Sequence, residues 1–129
     1  MRSGEVADVH EPHVQELIRD MADTMDHAPG IGIAAPQVGE NVRIFWVNYQ
    51  EHRFPVINPR IEILSKRESK MEEGCLSYPS VWGQVVRAKK LRLTGLDPQG
   101  KEISLVAKDY LARVIQHEFD HLEGKVIVD

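Results

Sequence analysis

Cysteine occurs once in this chain, at Cys75, so no disulfide can close within it. A lone cysteine of this kind is a buried apolar residue, a nucleophile or a metal ligand. Long apolar runs are missing too: nothing approaches the roughly 20 residues a membrane span requires. The opening MRSGEVADVHEPH has no apolar stretch of the kind a secretory signal carries. The expected location is therefore the cytoplasm, with no membrane partner. Positive charge is in deficit, with a formal net charge of −4, which argues against a nucleic-acid binder because phosphate needs a basic surface. Lys89, Lys90 and Arg92 make one short basic run, accounted for by a solvated strand face. Internal repeats, low-complexity tracts and long linkers are absent, and 129 residues suit one domain around a single core.

What is present begins with a helix expected over 12–25. Val14, Leu17, Ile18, Met21 and Met25 form one apolar stripe at helical spacing, and Pro12 suits the first turn. HAPG, residues 27–30, supplies turn chemistry after it. Strands are expected over 42–48, 54–57, 60–65, 85–94 and 102–106, with DPQG at 97–100 turning the last two into a hairpin. A second helix is expected over 109–123. Asp109 would cap it, Gly124 would end it in a left-handed conformation, and Leu111, Val114, Ile115 and Leu122 would form its apolar face. A short strand is expected over 125–128. The pattern reads as α+β: a central helix against short antiparallel sheets, in one domain over 1–129.

That second helix carries QHEFDHLEG, residues 116–124, which contains H-E-x-x-H. His117 and His121 stand four apart, so their Cβ atoms lie about 5–6 Å from each other on one face. Glu118 projects roughly 100° around the axis, beside a metal rather than on it, where it can take a proton from water. A chance polar face is the bland alternative, but the motif borders a strongly apolar stripe. Catalytic sites usually have three protein ligands and one open position. His10, His13, His27 and His52 have no companion feature. Cys75 has one, the segment EEGCLSYPS at 72–80, in a loop or extended stretch. A thiolate with two imidazoles suits zinc or iron, although the same cysteine could be a core residue. The Gly-rich GIGIAAPQ, residues 30–37, lacks both G-x-G-x-x-G and a phosphate-loop lysine. Its polar side chain, Gln37, is an uncharged donor of the sort an oxyanion site uses.

Taken in order, GIGIAAPQ, EGCLS and QHEFDH resemble the three signature motifs of peptide deformylases. ELIRDMADTM looks like the family's first helix, NPRIEILS like the strand leading to the cysteine, and VVRAKKLRLTGLDPQGK like the following hairpin. The resemblance implies removal of the N-formyl group from the initiator methionine of new proteins. It implies one divalent metal held by Cys75, His117 and His121: Fe(II) in the cell, with zinc, nickel or cobalt in a purified sample. Glu118 would act as general base and then acid. The Leu76 N–H and the Gln37 amide would hold the oxyanion. Glu73 and Arg87 would form a structural ion pair. Gly30, Ile31 and Gly32 would offer backbone to an extended peptide, and Arg113 and Val114 would border the methionine pocket. Expected partners are N-formylmethionyl peptides or nascent chains, with a ribosome contact.

Ile33 stands where the family usually has leucine. Against the family, the expectation is a short form without the N-terminal strand and the C-terminal helix or tail. An open sheet edge would then allow a dimer in place of a monomer. Bacterial, organellar and viral forms could all share these motifs. Three other readings follow from parts of the pattern. A zincin-type peptidase is suggested by H-E-x-x-H alone, but its third ligand usually lies downstream, where only LEGKVIVD follows His121. A paralogue that binds peptide without turnover would need neither Glu118 nor Gln37. A related enzyme would act on another acyl group.

Overall fold

A computed structural model describes residues 3–27, 31–64, 68–75 and 78–124, with backbone only over 68–75 and 78–87. Helix α1 spans Pro12–His27, and its five stripe residues are all buried. It is followed by β1 (Gly32–Ala34), a 3-10 turn over Ala35–Val38, β2 (Ile44–Tyr49), β3 (His52–Ile63), β4 (Glu68–Cys75) and β5 (Tyr78–Ala88). Then come β6 (Lys90–Leu96), β7 (Glu102–Lys108) and helix α2 (Asp109–Leu122). The result is the expected α+β arrangement. One antiparallel sheet has the order β1-β2-β3-β6-β7, and β4 pairs with β5 in a separate hairpin.

Alternation along β2 explains how the layers assemble. Phe45 and Val47 pack with Leu91, Leu93, Leu111, Val114, Ile115 and Leu122 beneath α2. Ile44 points the other way, into a second cluster with Ile33, Ile57 and the α1 stripe. A strand sends successive side chains to opposite faces, so the sheet lies between the two helices.

Several boundaries differ from the sequence expectation: β1 and β4 were not expected as strands, and β5 begins at Tyr78 rather than at 85. The two strands expected over 54–57 and 60–65 are one strand, β3, with an irregularity between Ile57 and Arg60. Pro59 sits in that irregularity, where a residue without an N–H is tolerated, and Asn58 has φ 53. The single strand expected over 85–94 divides at Lys89, so Ala88 ends one hairpin and Lys90 starts the next. At the start of α2, Lys108 occupies the cap position without a side-chain cap bond. Asp109 is already helical and carries φ 55, so Asp109 does not cap. Its backbone N–H instead donates to Lys89 O at 2.7 Å.

The DPQG hairpin turn forms as expected. Asp97 Oδ1 accepts from the backbone N–H groups of Gln99 and Lys101, both at 2.9 Å. Gly124 has φ 78 and follows α2 as the left-handed stop. The strand expected over 125–128 lies outside the described residues. Near the N-terminus, Gly4 bridges Val42 in parallel, and Ser3 N–H donates to Leu122 O at 2.7 Å. This ties the incoming chain to the end of α2.

Candidate active site

From Leu111 to Glu118, and again at His121, helix α2 buries polar residues along with apolar ones. His117 and His121 are 6% and 7% exposed, and Glu118 is 2% exposed. The two imidazole rings stand 5.2 Å apart at their centroids, tilted by 65°. Both rings therefore lie close together on one buried helix face, where one ion could reach a nitrogen of each. The donor chemistry fits, since imidazole suits zinc and iron. Among the described residues, no third histidine, cysteine, aspartate or glutamate completes a metal-binding group. The sequence points to Cys75 for that role. Its backbone closes β4 opposite Tyr78, and its side chain lies outside the described residues.

Glu118 meets the sheet at β1. A Cβ placed on Gly32 would lie 3.0 Å from both Cγ and Oε2 of Glu118, and 2.7 Å from the carbonyl oxygen of Trp46. Only a hydrogen fits there. Glycine thus lets the carboxylate rest directly on the backbone of β1. That strand is an edge of the sheet. Gly32 pairs with Val47, and Ile31 extends the pairing by accepting from Asn48 N–H at 2.8 Å. Ile31 is 38% exposed. A peptide adding to this edge would pass beside Glu118. Gly30 lies outside the described residues.

Gln37 sits in the 3-10 turn that follows β1 and packs on α2. Its Oε1 accepts from Ala34 N–H at 2.8 Å. With the oxygen engaged on a donor, the amide orientation is set and its NH2 end remains the donating end. Arg113 and Val114 are both buried, at 3% and 0% exposed, and Val114 belongs to the core under α2. In the β4–β5 ladder, Glu73 stands opposite Gly83 and Arg87 opposite Ser69. Their side chains and the whole of Leu76 lie outside the described residues.

Two features were not read from the sequence. Gln116 is 7% exposed and bonds the backbone of Ala88 through both ends of its amide. Arg43, with a side chain 5% exposed, places Nη1 2.7 Å from Glu123 Oε2 and stacks over Phe119 at 5.2 Å. Glu123 thereby ties the end of α2 to the start of β2. The sequence signal for each was a polar residue beside the apolar face, which has no partner until the fold is known.

The polypeptide deformylase family profile matches residues 1–129. The chain belongs to the peptide deformylase family. It is 41% identical over 128 residues to the peptide deformylase of Pelotomaculum thermopropionicum, covering 99% of this chain and 81% of the relative. The crystal structure of peptide deformylase from Ehrlichia chaffeensis in complex with actinonin superposes with a TM-score of 0.90 at 37% identity, covering 98% of this chain and 78% of the other. A class I type b peptide deformylase from Acinetobacter baumannii, bound to Met-Ala-Ser, gives a TM-score of 0.92 at 32% identity, covering 98% and 88%. The enzyme is a hydrolase that removes the formyl group from the N-terminal methionine of new proteins, and its family works with a divalent metal. The peptidase, pure-binder and other-acyl readings give way to this one.

Proposed function

We propose that deformylation runs on Glu118 as the proton carrier, between a metal held by His117, His121 and Cys75 and a peptide laid along β1. One observation carries this reading most: a carboxylate only 2% exposed, lodged against the backbone of an edge strand and one residue from the first of two paired imidazoles. When bound, the ion acidifies water and polarises the formyl oxygen. Glu118 takes a proton from the attacking water and later delivers it to the departing amine, releasing formate and a free N-terminus. The NH2 end of Gln37 and the N–H of Leu76 stabilise the negative charge that develops on the formyl oxygen. Gly30, Ile31 and Gly32 hold the peptide by backbone pairing. Arg113 and Val114, one turn before His117, stiffen the wall of the methionine pocket from within the core. Glu73 and Arg87 brace the cysteine hairpin.

The metal is Fe(II) in this proposal, with zinc, nickel or cobalt able to take its place, because the Cys/His/His donor set suits all four. The enzyme acts as one domain over 1–129 in the cytoplasm, and no helix among the described residues is long and apolar enough to cross a membrane. Nascent chains reach it near the ribosome. Anaerobic purification, metal analysis and a formate-release assay on formyl-Met-Ala-Ser test the whole reading. One metal per chain and formate release dependent on it are expected. Formate release unaffected by chelation would overturn the proposal.

A further inference from the structure

The sequence QHEFDH places Gln116 directly before the first histidine, and no step of the reaction uses it. Yet its side chain makes three hydrogen bonds in a buried setting. Oε1 accepts from Ala88 N–H at 3.0 Å, Nε2 donates to Ala88 O at 2.8 Å, and Nε2 also donates to Ala112 O at 3.0 Å. Three of the four hydrogen bonds open to an amide are therefore made, all in a buried setting. The first two engage both polar groups of a single backbone residue, as a neighbouring strand would. The third bonds the amide to its own helix one turn back, which fixes its direction.

Ala88 is where this matters. It is the last residue of β5 and stands opposite Glu68, the first residue of β4. Those two residues form the base of the hairpin whose β4 strand ends at Cys75. Among the described residues that hairpin is a sheet of its own, so a bond at its base bears on the angle it takes to α2. Gln116 is on the helix of His117 and His121, and it grips the base of the strand pair that carries Cys75.

We propose that Gln116 is a positioning residue that aligns the cysteine hairpin with the histidine helix, so that thiolate and imidazoles converge on one metal. The proposal rests on the reading of Cys75, His117 and His121 as ligands. Gln116 touches neither substrate nor metal and acts through Ala88. Supporting groups around metal ligands are typically worth about 10–100-fold in metal affinity, and the same scale is expected here.

The test uses Co(II)-loaded protein. Three quantities are measured: the thiolate-to-cobalt charge-transfer band, cobalt release to a chelator, and thermal unfolding of the apo form. Gln116→Met keeps the length and removes the hydrogen bonds. Gln116→Asn keeps the amide but is one methylene too short to span to Ala88, and it carries the test should the Met variant fail to fold. Both variants are expected to weaken the charge-transfer band and to release cobalt roughly 10–100-fold faster. Wild-type band intensity and release rate in either variant, whatever its unfolding midpoint, would reduce Gln116 to a packing residue and overturn the proposal. Absence of the band from the wild-type protein is a separate outcome. It would strike down Cys75 as a ligand, and the alignment role with it.

Discussion

Gly32→Ala is the substitution that loads the reaction centre most directly. The added methyl would stand 2.7 Å from Trp46 O and 3.0 Å from Cγ and Oε2 of Glu118. Ordinary contact begins near 3.4 Å, so the new Cβ and Trp46 O must separate by about 0.7 Å, and the new Cβ and Glu118 by about 0.4 Å. The Trp46 carbonyl is backbone inside a paired strand and yields little. Much of the displacement therefore falls on β1 and on the carboxylate. Misplacement of a catalytic group by about 1 Å costs about 10²-fold, so a shift of this size should lower kcat/KM by roughly 10–100-fold. Overpacking at this buried site should also cost about 1–3 kcal/mol of stability. The assay is formate release from formyl-Met-Ala-Ser at matched metal content, with thermal unfolding alongside. Gly4→Ala is the control, since a Cβ there meets only Asn41 O at 3.8 Å, and it should keep wild-type activity. A Gly32→Ala enzyme within about two-fold of wild type would contradict the expected coupling between the β1 backbone and the Glu118 carboxylate.

Glu123→Ala should destabilise the fold by about 2–4 kcal/mol, because it strands the buried Arg43 guanidinium. Arg43→Met in the same chain should recover part of that loss, as read by urea unfolding. Gln50 holds φ 54 in the turn between β2 and β3, so Gln50→Gly should raise stability by about 1 kcal/mol, and an unchanged unfolding midpoint would contradict the turn geometry. The hydrogen bond that His13 Nε2 donates to Glu40 Oε1 at 2.9 Å, reinforced by the carboxylate charge, raises the pKa of His13 above the ordinary 6.5. A raised folded-state pKa stabilises at pH below 6.5, and that contribution disappears as pH climbs through the folded value. NMR titration should show the His13 pKa falling back towards 6.5 in Glu40→Gln.

Helical periodicity made both helices legible. The α1 stripe from Val14 to Met25 and the α2 set of Leu111, Val114, Ile115 and Leu122 are all buried, because one apolar face on a 3.6-residue repeat has one way to pack. H-E-x-x-H was legible for the same reason, as helix geometry alone brings the two imidazoles together. Strand boundaries were less so. Pro59 reads locally as a breaker, yet it occupies an irregularity within one long strand, a placement that depends on the pairing with β6. Asp109 reads as a cap, but the cap position falls on Lys108, and Asp109 holds positive φ with its N–H bonded to Lys89 O. The glycines of GIG hinted at a close approach without naming the group that approaches. Glu118 against Gly32, Gln116 on Ala88 and Arg43 with Glu123 each join residues more than twenty-five positions apart. No local pattern encodes such a meeting.

The central claim is that Glu118 moves the proton in a deformylation carried out beside β1. Its most direct test is formate release by Glu118→Gln, assayed with metal content measured on the same sample. The expected result is one metal per chain and a rate lower by about 10²–10⁴-fold, the usual contribution of a general base. A fully loaded Glu118→Gln enzyme releasing formate at close to the wild-type rate would contradict it.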